Sequence, residues 1–322
     1  MSITDTSVIP AEVNNFYSRA LLERAVPLFT YAKFAQIRDI ERNSGTTVAK
    51  FRRYGNLAAA TTPLTEGVTP SGSQLSTTEI TAEALEYGDF ITMSNTLLYQ
   101  TIDPILLETA RILGDQMSDT IDQLTRDVLA AGTSVLYGGN ATARANVDAT
   151  DLIDATVLRK ANRLLKNNKA RRITEMIDAT TGIDTTPVAP AYIAFVSPNT
   201  EFTLRTITGY TPVEKYSMTG KLYEGEIGKF EDIRFIETTN AKVFTGAGAA
   251  GIDVYATIII GANAYGITRI SGEEVSNIVK PLGSAGTADP LNQRATSGWL
   301  ITHVAKILNN DFMTRIEHAV AS

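Results

Sequence analysis

The chain has 322 residues, 43% hydrophobic and 20% charged, with a formal net charge of −6 and no cysteine. This composition fits a folded chain long enough for one elaborated domain or two, and it excludes a disulfide framework, a thiolate metal site and a cysteine nucleophile. The acidic balance argues against a basic arm for nucleic acid, because phosphate binding needs clustered positive charge.

The first residues, MSITDTSVIPAEV, contain no basic segment followed by an apolar one, so no signal peptide is expected and residues 1–11 read as an extended arm. From Ala11 to Val26 the spacing of Val13, Phe16, Ala20, Leu21 and Leu22 predicts a helix that Pro27 ends or bends. Lys33, Arg38, Arg42, Lys50, Arg52 and Arg53 then form a basic block broken by Asp39 and Glu41. No lysine or arginine follows until Arg111, while the window between holds Glu66, Glu79, Glu83, Glu86, Asp89, Asp103 and Glu108. Acidic and basic surfaces side by side suit head-to-tail contact between identical copies. On that reading Lys50, Arg52, Arg53, Glu66, Glu79, Glu83 and Glu86 are candidate interface residues. An unevenly charged solvated surface is the alternative.

Thr46 to Tyr54 reads as a strand, and so does Glu79 to Met93, with Gly88 as a candidate bulge. The connection between them is rich in Thr, Pro, Gly and Ser, which predicts a protruding hairpin. Asp103-Pro104 supplies an N-cap and a first-turn proline for a long helix. Its apolar stripe is Leu106, Ala110, Leu113, Met117, Ile121, Leu124 and Val128, with Gly132 at its end. A second helix is expected over 151–167, a strand over 192–196, and a short helix from Ser197-Pro198 to Thr206. Strands follow over 226–230, 233–238, 255–260 and 264–270. The tail, 299–308 and 312–320, fits two strands around Asn309-Asn310-Asp311 or a helical end.

Chemical motifs are sparse. Gly246 to Gly251 spells GxGxxG, but strand-like residues follow where the dinucleotide fingerprint needs a helix, so a loop is expected. His303 and His318 stand too far apart for a common zinc spacing and read as satisfied histidines. Glu273-Glu274 has no partner group for acid–base work and reads as a solvated turn. The basic run Arg159, Lys160, Arg163, Lys166, Lys169, Arg171, Arg172 contains no acid. It fits a solvated helix face whose dipole favours cations, a contact onto an acidic neighbour, or phosphate contact. Arg159, Lys160 and Arg163 join the candidate interface residues. The apolar stretch Val254 to Thr268 is too short and too polar to span a bilayer.

Several phrases, in this order, resemble the major capsid proteins of tailed bacteriophages. They are Pro63-Leu-Thr-Glu-Gly67, Tyr87-Gly88 leading into Ile91-Thr-Met-Ser94, Gly228-Lys-Phe230 before Ile233, Asp289-Pro-Leu-Asn-Gln-Arg294 and Gly298-Trp299. That group shares the Johnson fold with encapsulin shells and the herpesvirus capsid floor. The resemblance implies an α+β chain divided into an N-terminal arm (1–45), an extended E-loop hairpin (46–94) and a peripheral domain with a spine helix (95–149). An axial domain (150–250) and return strands completing the peripheral domain (251–322) would follow.

The implied function is a structural, non-enzymatic subunit without cofactor or metal. It would assemble as pentamers and hexamers into an icosahedral head enclosing double-stranded DNA, contacted non-specifically. Scaffolding, portal and decoration proteins are the further partners; no membrane is involved, and assembly belongs in the host cytoplasm. Only a short arm precedes the first strand, so a fused scaffold segment is not expected. No lysine occurs between Lys50 and Lys160, so a lysine cross-link at the hairpin tip is not available. An encapsulin-like cargo shell is the main alternative. An α/β enzyme is disfavoured by the absence of phosphate loops, nucleophile elbows and paired histidines.

Overall fold

The computed structural model describes residues 21, 29–41, 46–55, 57–100, 105–173, 189–216, 222–270, 276–284 and 289–321. The expected helix over 11–26, apart from Leu21, lies outside them, as do Asp103-Pro104 and Glu273-Glu274.

Strand β1 (Gln36–Ile40) precedes a hairpin of β2 (Val48–Tyr54) and β3 (Thr77–Glu83), paired antiparallel from Val48 opposite Glu83 to Tyr54 opposite Thr77. The segment expected as one strand from Glu79 to Met93 is two. The chain turns out of the hairpin at buried Ala84, whose N–H donates to the Thr47 carbonyl at 3.0 Å. It continues as β4 (Leu85–Ser94), in a different sheet. Gly88 is not a bulge: β4 pairs without a register shift, Gly88 opposite Leu300. A Cβ there would lie 2.6 Å from the Trp299 carbonyl, so glycine is needed for close strand approach.

A short helix α1 (Asn95–Gln100) leads to α2 (Ile105–Ala130), about 39 Å long at 1.5 Å per residue. Ala110, Leu113, Met117 and Ile121 are buried as the stripe predicts, but Leu124 and Val128 are only half-buried. The buried face instead continues through Asp122, Thr125 and Leu129. Gly132 follows the helix without a left-handed φ. The helix end is closed by the buried Arg315 guanidinium, which donates to the carbonyls of Ala130 and, at 3.1 Å, Gly132. A cation there satisfies orphan carbonyls and complements the helix dipole.

The remaining elements are β5 (Val135–Tyr137), α3 (Ala155–Asn167), β6 (Tyr192–Val196), α4 (Pro198–Thr206), β7 (Tyr210–Pro212), β8 (Glu226–Phe230), β9 (Ile233–Glu237) and β10 (Val243–Phe244). They are followed by β11 (Val254–Ile260), β12 (Tyr265–Ile270), β13 (Ser276–Lys280), β14 (Arg294–Ile307) and β15 (Met313–His318). The tail ambiguity therefore resolves to strands. The Asp154 carboxylate caps α3 by accepting the Val157 N–H at 2.8 Å, three residues inside the expected start.

Eight strands form one sheet, in the order β5-β15-β11-β6-β9-β8-β7 with β10 beside β11. Its central strands are continuous apolar runs because both faces are covered. On one face Tyr192, Ala194, Val196 and Ile259 pack with Val157, Leu158, Ala161 and Leu165 of α3. On the other, Ile193, Phe195, Ile258 and Ile260 pack with Leu129 and Tyr31. The second sheet has the order β1-β12-β14-β13, with β4 also on β14. It packs through Trp299 onto Leu113, Met117 and Ile121 of α2, where Leu21 joins. One helix thus contacts both sheets.

The 251–322 segment splits, with β11 and β15 central in the eight-stranded sheet and β12, β13 and β14 in the other, while β5 from the 95–149 segment also joins the larger sheet. Strand pairing across long sequence separations, antiparallel for most pairs and parallel for β5 with β15, overrides linear order.

Candidate assembly surface

The hairpin stem carries the charged residues singled out from the sequence. Residues on a strand alternate in direction, so Lys50 and Arg52 share one face. There the Glu79 carboxylate lies 2.9 Å from Arg52 and 3.8 Å from Lys50. Opposite charges that form separate blocks in sequence thus meet across the two strands of one hairpin. Arg53 lies on the other face, the one that carries Phe51, which is buried at the stem root against Gly266. Glu66, Glu83 and Glu86 are exposed.

Residues 57–78 are exposed throughout and, up to Ser76, contain no regular helix or strand. Leu57, Leu64, Val68 and Leu75 are each more than half exposed. Only one charged residue, Glu66, lies between Arg53 and Glu79. It occupies a tight turn closed by the Val68 N–H donating to the Thr65 carbonyl at 3.2 Å, with Gly67 at φ +78°. That φ is a glycine conformation, so Gly67 fixes the turn that presents Glu66.

The basic run divides similarly. Arg159 is held by Glu231 at 2.7 Å, and Asp232 receives Lys166 and, at 3.1 Å, Arg172. Burial would raise the Asp232 carboxyl, but Lys166, Asn162 and Arg172 outweigh it and hold the group below its ordinary range. Lys160 and Arg163 are exposed on α3 with no ion partner among the described residues. Beyond the helix, Lys169 at φ +57° and Arg171 line a cleft of about 820 Å³. Its opposite side is the hairpin stem and β1, with Arg38 and Arg53, and Phe51, Ile80, Leu308 and Phe312 also line it. Arg38, Lys169 and Arg171 stood in the two basic stretches. Their convergence on one cleft had no signal in the sequence, because the stretches lie more than 100 residues apart.

The other motifs take the places expected of them. Gly246 to Gly251 is a loop between β10 and antiparallel β11, with Gly246 at φ +62° and Gly251 at +77°. His318 is buried with its ring 2.9 Å from the Thr257 hydroxyl and 2.7 Å from the Ala319 carbonyl, and His303 lies 3.2 Å from the Thr125 hydroxyl. Burial lowers both imidazoles from 6.5 to about 4. Among the described residues no cluster of three His, Asp or Glu side chains could hold a metal, and no helix is long and apolar enough to cross a membrane.

A phage capsid protein family model matches residues 77–315, well over half of the chain. The chain belongs to the phage capsid protein family. Over 137 residues this phage capsid protein is 31% identical to the major capsid protein of Pseudomonas phage KPP21, a match covering 41% of this chain and 34% of that relative's length. It is similar in fold to the capsid of Ralstonia phage GP4, with a TM-score of 0.71, 14% identity, and 91% and 92% of the two chains covered. The capsid of cyanophage P-SCSP1u gives a TM-score of 0.61 at 13% identity, covering 90% and 87%. The head of Helicobacter pylori bacteriophage KHP40 gives 0.59 at 13% identity, covering 88% and 87%. The α+β capsid fold implied by the sequence phrases is therefore the fold of this chain. The matching family is one of phage capsid proteins, which favours the phage shell over the cargo compartment.

Proposed function

We propose that this chain is the repeating structural subunit of an icosahedral phage head, assembled from pentamers and hexamers around double-stranded DNA in the host cytoplasm. The observation that carries this reading is the hairpin with its exposed 57–78 segment. Four large apolar side chains stand in water there and contribute nothing to the chain's own core. A monomer gains nothing from this arrangement, whereas a copy laid against a neighbour buries it. The hairpin then serves as an E-loop reaching a neighbouring subunit, and α2 serves as the spine to which both sheets are fixed.

The subunit's acidic charge suits a DNA container. A strongly basic lining would bind phosphates tightly and hinder release of the genome. Scaffolding, portal and decoration proteins are the further partners of such a head. Negative-stain electron microscopy with light scattering, on the chain alone and with co-expressed scaffold candidates, is the test. Closed particles or capsomer rings are expected. A monodisperse monomer under every one of these conditions would overturn the reading.

A further inference from the structure

We propose that the cleft between the hairpin stem and the body is the socket for the hairpin tip of a second copy, with Glu66 of the incoming tip seated among Arg53, Lys169 and Arg171. This rests on the shell-subunit reading above and assigns the receiving site of its hairpin.

The cleft is electrostatically unfinished. Arg38, Arg53, Lys169 and Arg171 line it, and among the described residues none of the four has an ion-pair partner. One carboxylate, Asp311, shares the lining. Many cations elsewhere in the body are matched, Arg144 and Arg315 by Glu317, Arg159 by Glu231, Arg234 by Glu226, Lys242 by Asp127, whereas Lys160 and Arg163, unmatched among the described residues, stand on the open face of α3 outside the cleft. A chain of net charge −6 that gathers four unmatched cations in one concavity is built to meet an anion.

The lining also selects among anions. Phe51 is buried, and Ile80, Leu308 and Phe312 are half-buried in the same cleft. An apolar base with a cationic rim fits an extended peptide that carries apolar side chains on either side of one carboxylate. The tip has that composition. Leu64 and Val68 flank Glu66, and the turn at Gly67 holds the carboxylate at the apex. None of residues 57–76 lines the cleft of their own chain. A strand of nucleic acid would match the rim but leave both the apolar base and the apolar tip unused.

The test uses the full-length chain and a fluorescent peptide spanning residues 57–75. Anisotropy should report binding that weakens at least tenfold with Glu66→Lys in the peptide, and likewise with Arg53→Glu plus Arg171→Glu in the protein. In assembly, Glu66→Arg alone and Arg171→Glu alone should each reduce particle yield severalfold, and the double variant should restore it. Circular dichroism must show native folding of each variant, which these exposed positions should permit. Peptide binding indifferent to Glu66, or single variants that assemble normally, would overturn the socket while leaving the shell reading intact. Loss of binding to a short DNA duplex in the cleft variants, with Glu66→Arg without effect on assembly, would assign the cleft to nucleic acid and likewise overturn it. A wild-type chain that never forms particles yet binds the peptide in a Glu66-dependent way would support the socket and count against the shell reading.

Discussion

Glu226 and Arg234 form a fully buried ion pair, and the Glu226 carboxylate also accepts the Tyr216 hydroxyl at 3.0 Å and the Tyr223 N–H at 3.2 Å. Removing one partner leaves an uncompensated charge where water cannot reach it. Arg234→Met is expected to cost about 3–5 kcal/mol, and Glu226→Gln with Arg234→Met to recover most of that, read from urea unfolding midpoints. The buried groups also set a pH response. His303 and His318 titrate near 4 rather than 6.5, so the unfolded chain binds more protons between those values. Their contribution is complete above about pH 6.5 and is lost as pH falls toward 4, about 3 kcal/mol each. Asp122 acts in the opposite sense. Burial raises its carboxyl to about 6 while the Thr30 and Tyr31 amides pull it down, so its contribution is gained as pH falls from 6 toward 4, about 3 kcal/mol. Two histidines outweigh one aspartate. Glu317 adds to the loss on acidification, because Arg144 and Arg315 overcome the burial that would raise it and hold it low. Urea unfolding at pH 7 and pH 4 should show a net loss of a few kcal/mol, smaller in His318→Gln; equal stability at the two pH values would contradict neutral buried imidazoles. Asp122→Ala should cost about 1–3 kcal/mol at pH 7 by orphaning the two amides it accepts.

At the scale of elements, the contact between β4 and β14 depends on two glycines. A Cβ at Gly298 would lie 2.7 Å from the Phe90 Cβ and 2.9 Å from the Asp89 carbonyl, and Gly88 meets the Trp299 carbonyl in the same way. Gly298→Val is therefore expected to destabilise this sheet by about 1–3 kcal/mol and to raise hydrogen exchange along β4 more than in the eight-stranded sheet. Trp299 is tied to the helix through Gln116, which accepts its indole N–H at 3.1 Å and donates to Asp89 at 2.6 Å. These elements were legible in the sequence to differing degrees. The α2 stripe and the buried runs of β6 and β11 carry strong periodicity or apolar density, so their type was plain. The break at Ala84 was not, because both halves of the Glu79–Met93 segment are β-formers and only the partner strands differ. The end of α2 is only partly legible, for a related reason. The Gly132 N–H does donate to the Leu129 carbonyl at 3.1 Å, but the Ala130 carbonyl is satisfied by Arg315, 185 residues away.

For the whole molecule, replacing Lys50, Arg52 and Arg53 together by glutamate tests the hairpin as a contact arm. Exposed pairs such as Arg52–Glu79 contribute less than about 1 kcal/mol, so the monomer should fold, with a melting temperature close to wild type. Sedimentation velocity should then show loss of particles. Particles in normal yield would remove the stem from the contact. Arg53→Glu alone should account for most of the effect, since Lys50 and Arg52 are engaged by Glu79.

The sequence by itself determined the main helices and the buried central strands, the hairpin with its nearly uncharged tip, the loop character of the GxGxxG stretch and the family phrases. Each of these follows from local spacing, turn chemistry or residue order. Tertiary structure decided which strands share a sheet, so that 251–322 divides between two sheets, and which charges remain unmatched. Ion pairing and strand pairing depend on distances in space, and the chain brings Arg38 and Arg53 beside Lys169 and Arg171 only once both sheets are fixed on the same helix.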